Sequence, residues 1–65
     1  MDPVEKAKIR LEHWIEHNDQ HQEEYETFAE ELERAGKTES AARVREMIKL
    51  AVKSTECLRE ALKAL

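Results

Sequence analysis

An all-α fold, an antiparallel hairpin of two long helices, follows from three features of this chain. Apolar residues recur at alternating spacings of three and four, the repeat that keeps one side of a helix turned toward a partner helix. Proline and glycine each occur once, Pro3 at the start and Gly36 between the two patterned segments, so only one interior break is written into the sequence. Charged residues make up 40% of the 65 positions and no apolar run of membrane-spanning length exists, so the helices belong in water rather than in a bilayer.

The first helix is expected over about residues 3–35. Asp2 caps free amides, Pro3 occupies the first helical position where a missing N–H costs nothing, and Glu5 completes a capping box. The seam then runs Val4, Ala7, Leu11, Trp14, Asn18, His21, Tyr25, Phe28, Leu32 and Ala35. Gly36 closes the helix because it adopts a left-handed backbone at little cost. A turn over 36–38 follows, with Thr38 as the expected cap of the second helix and Glu39 in its first turn. The second helix, about 39–65, carries the seam Ala41, Val44, Ile48, Ala51, Thr55, Leu58, Leu62 and Leu65. Glu39–Arg43, Glu46–Lys49, Glu56–Arg59 and Glu60–Lys63 are spaced to pair on its exposed side. An alternative splits the first segment at Asn18-Asp19, with Asp19 and Gln22 as a second capping box, to make a three-helix monomer. The continuous helix is preferred because the seam crosses Asn18 and His21 without a change of phase.

A turn this short sets the helices nearly antiparallel. It also leaves little core, because two rods of about 50 and 40 Å pack along one line only. Ile15, Ala29, Met47, Val52 and Ala61 flank the seam and widen the apolar stripe, which suits a bundle better than a pair. A homodimer of two hairpins forming a four-helix bundle is therefore expected. The formal net charge is −4, unevenly placed: residues 2–35 hold eleven acids and four bases, residues 37–65 four acids and seven bases. The acidic balance argues against nucleic acid as a partner, whereas an acidic helix beside a basic one is complementary. Cys57 is the only cysteine and cannot form an intrachain disulfide. With no basic and apolar leader visible in the first residues, this points to the cytoplasm.

Asn18, His21 and Thr55 are polar where an apolar residue would be cheaper. Positions opposite one another in the hairpin sum to about 73, so these three fall in one layer near mid-rod. One reading is register control, since buried polar groups disfavour slipped assemblies in which their hydrogen bonds are lost. The other is a metal site. His13, His17 and His21 recur every four residues, and side chains so spaced on a helix can hold one ion. His17 and His21, joined by His13 or Glu24, would suit Zn, Ni, Co, Fe or Mn. No cofactor is dictated by the first reading.

Catalysis has less to stand on. Cys57 lies just outside the seam near the level of His17, but a thiolate nucleophile also needs a pocket and oxyanion donors, which two rods with almost no loop do not supply. A half-buried packing cysteine is the plainer expectation. Trp14, Tyr25 and Phe28 read as core bulk.

The segment His13-Trp14-x-x-His17-Asn18-x-x-His21, with Phe28 and the Gly36 turn, resembles a family of small prokaryotic helical proteins, best represented among archaea. The resemblance extends over most of the chain and implies that His17, Asn18 and His21 act as a unit. A more distant likeness to hemerythrin-type bundles rests on the helical histidines, and the second helix of this chain has none. Two expectations result: a non-enzymatic, self-associating helical module with a structural or protein-interaction role, and, beside it, a small metal-binding protein.

Overall fold

The computed structural model describes residues 2–65 and contains two α-helices, α1 (Pro3–Arg34) and α2 (Thr38–Lys63). They pack against each other along their length in a rod of 51 × 15 × 11 Å. α1 runs unbroken through Asn18-Asp19, so the three-helix alternative is not realised.

The ends of α1 carry the chemistry that stops a helix. The Asp2 carboxylate accepts from the amides of Val4 (2.8 Å) and Glu5 (3.0 Å), and Pro3 follows at the start of the helix. At the other end Gly36 sits at φ +79°, its amide donates to the Glu33 carbonyl at 2.9 Å, and the Lys37 amide reaches back to Leu32 at 2.8 Å. This pair of bonds is a Schellman closure, which depends on a left-handed residue at the position Gly36 holds. The expected Thr38 cap does not form. Lys37 occupies the cap position of α2 with no side-chain bond to the free amides, and Thr38 is already helical. The Schellman turn accounts for this, because it brings the chain into α2 one residue sooner than a separate cap would.

Helix geometry also corrects the seam of α1. An ideal helix advances 100° per residue, so a strict seven-residue repeat drifts by about 20° each time. Along α1 that drift carries Trp14, His21 and Phe28 progressively off the contact line and brings Ile15, Gln22 and Ala29 toward it. Trp14 is accordingly 47% exposed and Phe28 51%, whereas Ala29 is buried at 1%. Trp14 and Phe28 are therefore not core bulk; Tyr25 is half-buried. In α2 the expected seam faces α1, apart from Leu65, which is exposed. The residues that are fully enclosed are small ones, Ala29, Ala41 and Thr55, and among the described residues no large side chain is fully buried.

Candidate functional site

The hairpin has two broad faces, and they differ in chemistry. On one face, acids of α1 meet bases of α2. Glu12, Glu16, Asp19 and Glu23 border a trough with Arg59 and Lys63, and Glu26 and Glu30 lie beside Arg45 and Lys49. Arg59 donates to Asp19 at 2.8 Å, and Arg45 pairs with Glu33, whose hydrogen bond holds the Arg45 guanidinium above its ordinary pKa against the opposing effect of desolvation. Both pairs cross between the helices but sit half in solvent, which screens them and leaves each a weak contributor to stability. They select which sides of the helices meet rather than hold the rod together. The pairs expected within α2 are mostly replaced: Glu60–Lys63 forms at 3.4 Å, but Arg43 turns to Glu46 at 3.2 Å and Arg59 crosses to α1.

The opposite face has an uncharged centre bordered by charges, with Lys6 and Arg10 beside Trp14 and Glu23, Glu24 and Glu31 beside Phe28. Its central groove, about 190 Å³, is lined by Asn18, His21 and Tyr25 from α1 and Met47, Ala51 and Ser54 from α2. Trp14 and Phe28 flank His21 at seven-residue steps along α1, and helical geometry places both on this side. Met47, 38% exposed, and Leu65, 51% exposed, continue the apolar surface on α2. The sequence contained this signal in the two seven-residue ladders Trp14-His21-Phe28 and Met47-Ser54-Ala61, but a reading centred on one seam assigns Trp14 and Phe28 to the interior.

Within the polar layer, Thr55 is 2% exposed and donates its hydroxyl to the Ala51 carbonyl at 3.1 Å, a bond inside α2. Asn18 and His21 are half-buried and open onto the groove. The structure thus separates the three expected members: Thr55 is satisfied by its own helix, and Asn18 and His21 open into the groove.

The histidines form a ladder of rings rather than a chelating set. His13 and His17 stack with centroids 5.9 Å apart and planes 9° from parallel; His17 meets His21 edge-on at 4.3 Å; His21 stacks on Tyr25 at 5.9 Å. An imidazole binds a metal through a lone pair in its ring plane, at about 2.0–2.1 Å. Stacked, nearly parallel rings such as His13 and His17 direct those lone pairs side by side and not to a common point. Glu24 is engaged with one histidine only, its Oε2 3.3 Å from His21 Nδ1. Among the described residues no group of three or more His, Cys, Asp or Glu side chains is placed to hold an ion. The expectation of a Zn, Ni, Co, Fe or Mn site built on His17 and His21 with His13 or Glu24 is corrected accordingly.

Cys57 is exposed on the outer side of α2, not half-buried against α1. Its position is about 160° around α2 from the seam, which removes it from His17 as well. Among the described residues no helix is long and apolar enough to cross a membrane.

No curated protein and no solved structure matches the chain. The family described as Domain of unknown function (DUF8180) matches residues 7–65, nearly the whole length, and this small helical hairpin belongs to that family.

Proposed function

We propose that this chain is a non-enzymatic, self-associating helical module, in which a second copy covers the face bearing Trp14 and Phe28 and two hairpins complete a four-helix bundle. The observation that carries this reading is the difference between the two faces. Cross-helix ion pairs close one, while the other leaves Trp14, Phe28, Met47 and Leu65 in water. Apolar side chains gathered along one side of a small protein favour covering that side.

Area supports the same partner. The hairpin exposes 5199 Å², whereas a folded monomer of 7.6 kDa exposes about 4,300 Å² by the usual mass scaling. The excess of about 900 Å² is close to the roughly 800 Å² that each partner contributes to a standard interface. A twofold interface uses the same patch from both chains, so the uncharged groove meets its own copy while the bordering charges stay at the rim. Asn18, His21 and Ser54 then supply polar contacts in the middle of that interface and set its register. The role that follows is structural: a short rod that presents two acidic-and-basic outer surfaces to other proteins.

Trp14, the single tryptophan, reports on this directly. Acrylamide quenching of its fluorescence should show an indole more shielded than the half-exposed ring of one hairpin, with quenching rising as the protein is diluted toward dissociation. An indole freely quenched at every concentration would overturn the reading.

A further inference from the structure

Resting on the self-association just proposed, we infer that the contact between copies reaches around α2 to take in Leu50 and Cys57, along a second apolar stripe that this helix carries on its outer side.

α2 has one seam more than a two-helix protein uses. The first, running from Val44 through Ile48, Ala51, Thr55 and Leu58 to Leu62, faces α1. Away from that seam, every exposed position of α2 from Glu46 to Lys63 is charged except Met47, Leu50, Ser54, Cys57 and Ala61. These exceptions are not scattered. They follow one another at alternating steps of three and four, and Ala64 continues the row. That spacing is the pattern of a helix surface that meets another helix. At 100° and 1.5 Å per residue, the row lies about a third of a turn around α2 from the first seam and runs for about 25 Å. Leu50, in its middle, is 69% exposed, more than any other large apolar side chain among the described residues.

The occupant that fits this stripe is the second copy. Met47 and Ser54 belong both to the stripe and to the central groove, so a body seated over the groove continues onto Leu50 and Cys57 without crossing a charge. The same step outward on α1 meets Lys6 and Arg10 beside Trp14 and Glu24 and Glu31 beside Phe28. The uncharged surface is therefore displaced from the groove toward α2. Area agrees, since the hairpin's excess of about 900 Å² over a compact monomer matches what one partner gives to a standard interface, and Leu50 is part of that excess. The far border of the stripe alternates in sign through Glu46, Lys53 and Glu60, so a second copy carrying the same row finds opposite charges to meet.

Cys57, exposed in the single hairpin, is a built-in reporter on this stripe. Its rate of alkylation by a maleimide is followed on the full chain at one fixed pH while the protein concentration is varied, with sedimentation equilibrium run on the same samples. A covered thiol reacts only through the dissociated fraction, so the rate should fall at least about tenfold at a hundred times the dissociation constant. Lys37→Cys in a Cys57→Ser background, labelled in the turn, should react at one rate throughout. Leu50→Ser, with helicity checked by circular dichroism, should raise the dissociation constant about tenfold. If the chain sediments as a dimer but Cys57 reacts at the same rate at every concentration, or Leu50→Ser leaves the dissociation constant unchanged, the extension onto α2 is overturned and self-association stands. A chain that sediments at 7.6 kDa throughout would overturn both, and leave the stripe to a helix of another protein.

Discussion

Gly36 is the residue on which the hairpin turns. Its φ of +79° belongs to the left-handed region, and a Cβ built there meets nothing within 4 Å. Substitution by alanine thus isolates the backbone term from any clash. Gly36→Ala should destabilise the protein by about 1–2 kcal/mol, measured by urea unfolding at one fixed protein concentration. A loss below a few tenths of a kcal/mol would mean that the turn relaxes out of the left-handed conformation. Position 36 was legible from the sequence because one glycine in an otherwise unbroken helical pattern has few other uses. Asp2 was legible for a similar reason: a short acceptor before Pro3 caps the helix in the way its chemistry suggests. Thr38 was not, because whether a good capping residue actually caps depends on how the preceding turn delivers the chain, and here that turn puts Lys37 in the cap position.

At the scale of the helices, the pattern fixed how many there are and left their rotation open by a fraction of a turn. A three-four spacing describes a stripe, and a stripe on a nearly straight helix drifts by about 20° per heptad against its partner. Over the 32 residues of α1 this is enough to exchange Phe28 for Ala29 at the contact line. The ion pairs that help to fix the rotation were equally hard to foresee, since Arg59 has partners at hand on its own helix yet reaches Asp19, forty positions away. Its worth is small. A double-mutant cycle on Asp19→Asn and Arg59→Gln should give a coupling of no more than about 1 kcal/mol at low salt, shrinking toward zero in 1 M NaCl where the Debye length is about 3 Å. A coupling of several kcal/mol that persists in salt would instead identify a pair shielded from solvent and holding the helices together. The histidines illustrate the same limit at the candidate site: spacing put them on one side of α1, but the rotation of each ring, which decides between a chelate and a stack, is set by neighbours such as Tyr25 and Glu24.

The whole molecule is a thin rod of two helices. A compact domain of this length would have a radius of gyration of about 10.7 Å; the hairpin has 15.3 Å, and among the described residues it fully encloses two alanines and a threonine. Little hydrophobic stabilisation comes from so thin a contact, so folding and the proposed pairing should be coupled, as in obligate dimers. The chain's size and wide apolar stripe suggest an association partner in the sequence; which side the proposed partner would cover was not legible, because that depends on the rotation of both helices. The central claim, that a second copy covers the face bearing Trp14 and Phe28, is tested most directly by sedimentation equilibrium across the micromolar range. The wild-type chain should sediment at twice its 7.6 kDa mass, and Trp14→Ser/Phe28→Ser, two changes at half-exposed positions of the hairpin, should raise the dissociation constant at least about tenfold, the effect of losing 1.4 kcal/mol. A wild-type chain that remains at 7.6 kDa throughout would contradict it.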